Sequence, residues 1–292
     1  ISKSIFSKMK RDIKKLGFHT SNRLLYFYEP KGGGFKQVYD NPPAEKNLSL
    51  LARLREGYQQ LKFESSLLAK EARNIFRLHK TFHIPNENHI VWKFDGSEEC
   101  LNQWVTTCDQ DYKQGFSTAK LELSPTGTGI FHGTLSNHLP KDGTTGRAGY
   151  CNITTVQKWK SFKRKDSYDW SQFNTLVLRV RGDGRCYMIN ILHRGSVDLT
   201  WYMAYHYVLY TRGGPYWQYV QIPFSKFVFG SKGVIQDQQH PMNEHNITNF
   251  GITVGDNKNG PFKLEIDYIG VRNDVYNFET FAYEMYDISK KE

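Results

Sequence analysis

Residues 173–192, FNTLVLRVRGDGRCYMINIL, alternate apolar and polar side chains on both sides of a Gly-Asp-Gly break. Side chains along an extended strand point to opposite faces with period two. Leu176, Leu178 and Val180 therefore share one face, and Val177, Arg179 and Arg181 the other. Gly182 and Gly184 permit positive φ and Asp183 can bond its own backbone, so the break predicts a hairpin turn. The embedded Arg-Gly-Asp tripeptide fits adhesion receptors, yet a tripeptide arises often by chance in a chain of this length, and the turn accounts for it.

From Ile90 onward the pattern repeats. IVWKFDG, NQWVTTCD, STAKLEL, GIFHGTL, AGYCNITTV, NTLVLRVRG, CYMINILHR, LTWYMAYHYVLY, YWQYVQIPF, NFGITVGD and FKLEIDYIGVR each read as a strand bounded by turn residues. Parallel pairing needs long crossover connections, and most of these segments have no helix-length stretch between them. The expectation is a mostly β protein, an antiparallel sandwich of about ten strands in two sheets. KRKDSYDWSQF (163–173) and KFVFGSKGVIQDQQHPMNEHN (226–246) read as long polar loops, and the tail from Val275 as a short strand or helix clasping the sandwich.

The first 89 residues differ in kind. ISKSIFSKMKRDIKKLGF sets Ile5, Phe6, Met9, Ile13 and Leu16 near one helical face with Lys10, Lys14 and other lysines opposite, which suits a membrane surface or a docked helix. A linker rich in Gly and Pro follows over 28–43. Then Leu51, Leu54, Tyr58, Leu61, Ser65, Leu68, Ala72 and Ile75 recur at steps of three and four, one narrow seam along a long helix. Such a seam packs on the domain edge or meets a helical partner, and Arg53, Arg55, Lys62, Lys70 and Arg73 decorate its other sides. His79, His83 and His89 match no helical metal pair and read as surface residues. The division is a basic helical extension over 1–89, a sandwich over 90–275 and a tail over 276–292.

Charge supports that division. Of 39 basic and 29 acidic residues, 17 and 7 fall within residues 1–80, so the whole excess of +10 is N-terminal. A basic arm meets nucleic acid or acidic lipid, or is simply solvated. No apolar run reaches the roughly 18 residues that span a bilayer. Cys100, Cys108, Cys151 and Cys186 show no CxxC spacing, which removes the zinc-ribbon and thioredoxin readings and favours a reducing compartment. Three sequons, at Asn47, Asn152 and Asn246, would matter only in a secreted protein. The chain opens at Ile1, and a cleaved targeting segment would precede it.

Chemical motifs are sparse. PTGTGIFHG misses the GxGxxG register, and GxSxG, Walker and HExxH patterns are absent. Glu122, Glu265 and Asp267 lie on strands and could supply the two acids of a glycosidase; Glu265 and Asp267 oppose the apolar set Phe262, Leu264, Ile266 and Tyr268, so an outer polar face explains them too. Asp256, Asn257 and Asn259 in GDNKNG could ligate calcium, but a tight turn uses the same residues. The remaining signal is aromatic: Trp201, Tyr202, Tyr205, Tyr207, Tyr210, Tyr216, Trp217 and Tyr219 crowd two consecutive strands. A displayed aromatic shelf stacks on sugars or anchors a protein interface. Trp217 and Tyr219 alternate with the apolar Val220 and Ile222 and are expected outward. Together with Trp201 and Tyr205, and with Leu51, Leu54, Tyr58 and Leu61 of the seam, they make up the expected partner-binding set. The expected membrane-surface set is Ile5, Phe6, Met9, Lys10 and Lys14.

LVLRVRGDGRCYMINI, PYWQYVQIPFSKF, FGITVGDNKNGPFKLEIDYIGV and the opening FDGSEECLNQW resemble the complex I intermediate-associated protein 30 family, over roughly residues 90 to 272. The resemblance implies a galactose-binding-like jelly roll similar to family 11 carbohydrate-binding modules, with no enzymatic activity, cofactor or metal. It also implies a complex I assembly factor in the mitochondrial matrix, peripheral to the inner membrane. Its implied partners are ECSIT, an acyl-CoA dehydrogenase-like flavoprotein and membrane-arm subunits of complex I. The rival reading is a lectin-like carbohydrate-binding module; a nucleic-acid role ranks last because no reader motif is present.

Overall fold

The computed structural model describes residues 50–76, 84–141, 148–193, 203–231 and 234–283. Ile5, Phe6, Met9, Lys10, Lys14, the linker, His79, His83 and Trp201 lie outside them. One sheet holds β1 (Asn88–Lys93), β3 (Thr118–Leu123), β4 (Gly129–Leu135), β8 (Thr175–Arg181), β11 (Gln218–Pro223) and β15 (Gly260–Arg272), in the order β11-β8-β15-β4-β3 with β1 also on β15. The other holds β2 (Trp104–Cys108), β5 (Cys151–Thr155), β9 (Cys186–His193), β10 (Met203–Tyr210), β12 (Val228–Ser231), β13 (Val234–Ile235) and β14 (Ile247–Val254), in the order β13-β12-β10-β9-β14-β5-β2. A small ribbon pairs β6 (Trp159–Lys160) with β7 (Arg164–Lys165). Every pair among these strands is antiparallel, so the fold is a mostly β jelly-roll sandwich.

The expected hairpin at 182–184 is corrected. β8 pairs with β11 and β15, whereas β9 pairs with β10 and β14, so the Gly-Asp-Gly turn carries the chain from one sheet to the other. Alternation and turn chemistry are the same for a hairpin and a crossing; what decides is that both strands bury their apolar face against the opposite sheet. Leu176, Leu178 and Val180 meet Tyr187, Ile189 and Ile191 in one core with Phe250, Ile252, Leu264 and Ile266. Each such side chain contributes about 1.5–3 kcal/mol by leaving water. Trp92 anchors an aromatic cluster, with ring centroids 5.4 Å from Phe250, 5.9 Å from Trp104 and 6.1 Å from Trp170.

Three crossings between the sheets, at 182–185, 211–217 and 255–259, meet at one end. Gly182 is packed so closely on Thr211 that a Cβ would lie 2.3 Å from the Thr211 Cβ, and Gly184 sits at φ +91°. Arg185 ties them together. Its Nε and Nη2 donate to the two Asp256 oxygens at 3.0 Å each, Nη1 donates to the carbonyls of Gly260 and Pro261 at 3.1 Å, and Nη2 also reaches the Lys258 carbonyl. The Arg185 carbonyl accepts from the Thr211 hydroxyl at 2.7 Å.

Other expectations are adjusted. Asp267 is a bulge in β15, where the register against β8 shifts between Ile266 and Tyr268. One extra residue flips the faces beyond it, so Ile269 and Val271 enter the core and Tyr268 turns outward, against its assignment to the apolar set. The two segments read as loops contain β7, β12 and β13, each of two to four residues, too short for alternation to register. The tail over 275–283 forms neither strand nor helix, yet it does clasp: Ala282 donates to the Ser225 carbonyl, and the Tyr283 hydroxyl to that of Lys226.

Helix α1 (Leu50–Phe76) meets the sandwich through its carboxylates. Glu71 accepts from the Ser161 amide at 2.7 Å and pairs with Arg164, and Glu64 accepts from the Phe162 amide at 2.6 Å. These bonds hold Phe162 at φ +57°, a conformation that costs a bulky side chain roughly 1–3 kcal/mol. The seam is not what docks: Leu54, Tyr58, Leu61 and Leu68 stay exposed. The backbone of Leu51 lies in the same helix.

A candidate interaction face on the β11-β8-β15 sheet

Outward side chains of β8 and β15, with the loop entering β11, assemble a candidate functional surface. β8 supplies Arg179 and Arg181, β15 supplies Glu265 and Asp267, and the loop entering β11 supplies Trp217. Arg179 pairs with Asp267, and Arg181 pairs with Glu265 through Nη2 and, at 2.9 Å, through Nε. Both guanidinium carbons lie over the Trp217 ring, at 4.9 Å and 5.1 Å from its centroid, the geometry of a cation–π contact. Arg181 also donates to the Pro215 carbonyl at 3.2 Å, which fixes the loop that carries Trp217.

Glu265 is buried beneath this layer and accepts from the Thr128 hydroxyl at 2.5 Å. Burial works to raise its pKa, but the Thr128 hydrogen bond and Arg181 outweigh it and hold the carboxyl below its ordinary value. A carboxylate already ionised and doubly bonded is a structural anion, poorly suited to act as a general acid. Asp267 is held by Arg179, and Glu122 by His132 Nε2 at 3.2 Å. All three carboxylates that could serve a glycosidase therefore have partners.

Of the expected partner-binding residues, Trp217 and Tyr219 both lie on this face. Tyr219 is 45% exposed and its hydroxyl donates to Asn88 at 3.1 Å, while Ile222 on the opposite parity is fully buried. Tyr216 beside them is also exposed. Tyr205 is corrected: it is 3% exposed, belongs to the core and donates its hydroxyl to the Pro241 carbonyl at 3.0 Å. β10 carries apolar residues at both parities, so alternation gave no sign of which aromatic turned in. Leu54, Tyr58 and Leu61 lie on α1, displayed separately. Asp183 of the Arg-Gly-Asp tripeptide accepts from the Lys263 amide at 2.7 Å and from the Tyr187 hydroxyl at 3.2 Å, which makes it a turn anchor. Asp256 of the calcium reading is engaged by Arg185, and no group of three or more His, Cys, Asp or Glu with metal-site geometry occurs among the described residues.

Two further features lie outside the sequence-based expectations. On the outer face of the second sheet, uncharged side chains from four strands link in series. His206 Nδ1 lies 2.7 Å from Asn190 Oδ1, Asn190 donates to Thr253 at 2.7 Å, Thr253 donates to Asn152 at 2.9 Å, and Asn152 donates to Thr154 at 2.6 Å. Burial pushes the His206 pKa down to about 4, so the ring is neutral at pH 7. The other feature is the β6–β7 ribbon, which exposes Trp159 and Phe162. Its signal was present in KWKSFKRK, where aromatics alternate with cations, but the segment is too short to read as a hairpin.

An antiparallel jelly roll whose outer sheet face carries paired arginines, carboxylates and a tryptophan defines a β-sandwich module with a candidate interaction surface. The profile of the family described as "Complex I intermediate-associated protein 30 (CIA30)" matches residues 92–266, and the chain belongs to that family. Similar proteins include "Complex I intermediate-associated protein 30, mitochondrial" of Drosophila melanogaster, 43% identical over 93% of this chain and 91% of that protein. The Caenorhabditis elegans protein named "Probable complex I intermediate-associated protein 30, mitochondrial" is 40% identical over 94% of this chain and 82% of its own length. The Mus musculus protein is 44% identical over 69% and 61%. Among solved structures, a family 11 carbohydrate-binding module of a Clostridium thermocellum cellulosomal cellulase resembles the chain with a TM-score of 0.45 and 16% identity, over 65% of this chain and 96% of that one.

Proposed function

We propose that this protein is a non-enzymatic assembly factor that supports construction of the membrane arm of mitochondrial complex I, in the matrix and peripheral to the inner membrane. Its partners are other assembly factors, ECSIT and an acyl-CoA dehydrogenase-like flavoprotein, and membrane-arm subunits. The sandwich over 90–275 presents the binding face, the basic extension over 1–89 reaches partner or membrane, and residues 276–292 form the tail. The observation that carries this reading is the face around Trp217. Arg, Trp and Tyr are the residue types that dominate interface energetics, and here they are prearranged by ion pairs, which lowers the entropic cost of binding. Covering a partner surface then stabilises the bound intermediate by mass action.

The test replaces Trp217 and Tyr219 with alanine in cells that lack the native protein. Neither ring belongs to the core, so the sandwich stays folded, and loss of such anchors costs about 2 kcal/mol or more of binding. The variant should leave the assembly intermediate on native gels; normal co-migration defeats the reading. For the carbohydrate-binding alternative, the same face is a poor candidate, because two guanidinium groups already cover the Trp217 ring. A blank glycan array is expected, and strong glycan binding lost on Trp217→Ala would reverse the order of the two readings.

A further inference from the structure

The ribbon β6–β7 and helix α1 make a second surface, remote in character from the Trp217 face. Residues 158–165, KWKSFKRK, hold five cations and two aromatics, and α1 holds Arg53, Arg55, Lys62, Lys70 and Arg73. Of the acidic residues of these two elements and the adjoining Asp166, Glu64 and Glu71 accept from the amides of Phe162 and Ser161, Glu71 also pairs with Arg164, Asp166 pairs with Lys160 at 2.7 Å, and Glu56 alone is exposed. What remains outward is predominantly positive charge interleaved with apolar groups. Trp159 and Phe162 are each 46% exposed, and Leu54, Tyr58, Leu61 and Leu68 make an exposed stripe on α1.

The placement on the helix is ordered. At about 100° per residue, the docked face of Glu64, Leu67 and Glu71 is followed by the apolar stripe roughly a quarter turn on, and then by Arg55, Lys62 and Arg73. A docked side, an apolar side and a basic side are what a helix needs to lie at a bilayer surface while fixed to a folded body. Tryptophan and phenylalanine beside lysine suit the headgroup boundary, where ring and charge are each solvated by their own layer. Exposed leucines would gain nothing on a polynucleotide, whose backbone and bases offer charge and stacking.

We propose that the β6–β7 ribbon and the exposed stripe of α1 form a docking surface for an anionic phospholipid bilayer, with Trp159 and Phe162 entering the headgroup boundary. This site is separate from the basic segment at residues 1–18. It rests on the peripheral-membrane part of the reading above and is independent of the Trp217 face. The test is flotation of the full 292-residue chain with vesicles of phosphatidylcholine alone or enriched in cardiolipin. The chain should float with the anionic vesicles only, and less so as salt rises. Trp159→Ala with Phe162→Ala should lower the partition at least tenfold, as should Arg55→Glu with Lys62→Glu, which touches no side chain of the ribbon. Trp217→Ala should float as the native chain does, which separates failure of this site from failure of the protein-binding face. Absence of flotation overturns the proposal, and so does a Trp159/Phe162 variant that floats normally. A variant that floats normally but leaves the assembly intermediate would make the surface a protein dock instead.

Discussion

Replacing Arg185 with methionine removes a guanidinium that bonds both oxygens of Asp256 and the carbonyls of Lys258, Gly260 and Pro261. The pair is nearly buried, with 11% and 7% of the two side chains exposed. Methionine fills much of the same volume, so the loss is electrostatic: Asp256 keeps its charge and loses the partner that solvates it. Breaking one side of a buried pair costs about 3–5 kcal/mol. For a sandwich of this size each kcal/mol shifts the melting temperature by about 2–4 °C, so a fall of about 6–20 °C is expected. Adding Asp256→Asn to the same chain removes the orphaned charge and should restore roughly half of the loss. Thermal unfolding followed by circular dichroism at neutral pH measures both. A single variant within about 2 °C of the native protein, or a double variant no better than the single, refutes the view that this arginine secures the three crossings.

Three further outcomes follow from local geometry. Glu244 is desolvated, which raises its pKa to about 7, so its neutral form is favoured by folding. Stability should then be fully present below about pH 4.3, the unfolded value, and decline as pH rises toward 7. Glu244→Gln should flatten that slope and gain roughly 1–2 kcal/mol at pH 8, its partial exposure keeping the gain modest, and an unchanged slope in urea titrations across pH counts against the assignment. Gly133→Ala would set a Cβ 1.9 Å from the Thr118 carbonyl oxygen on the neighbouring strand, so β3 should separate from β4 with a loss above about 3 kcal/mol; a soluble variant melting like the native chain would contradict the packing. Cys108 and Cys151 are buried thiols whose pKa values are raised, first by desolvation, so both should resist a thiol reagent until denaturant is added, and rapid labelling of the folded protein would show otherwise.

Period two was the most legible property of this chain. It placed Leu176, Leu178 and Val180 inward and Trp217 and Tyr219 outward of Ile222, because both faces of those strands are chemically distinct. Where both parities are apolar, as in Met203–Tyr210, the same rule could not say that Tyr205 turns in and Tyr210 turns out. Pairing partners were not legible either. Nothing in RVRGDGRCY distinguishes a hairpin from a crossing, since the choice is made by residues as distant as Glu265 and Asp256. The bulge at Asp267 inverted the faces of the last strand without any glycine to announce it. The Arg–Trp face escaped notice for a similar reason: its members are separated by as many as 88 residues, and only the register of β8 against β15 brings them together.

Because the chain changes sheets at Gly182–Gly184, again between β10 and β11, and again between β14 and β15, no contiguous stretch of it contains a finished layer. The first strand of the sandwich also lies beside the last, with the Asn86 amide bonded to the Asn273 carbonyl at 2.9 Å. A nascent or newly threaded polypeptide thus has almost no stable resting point before Arg272 arrives, and folding should be slow and all-or-none, as expected when most partners are far apart along the chain. Premature stop codons anywhere upstream of that residue should behave alike as complete losses, with no graded series of shorter, partly competent products.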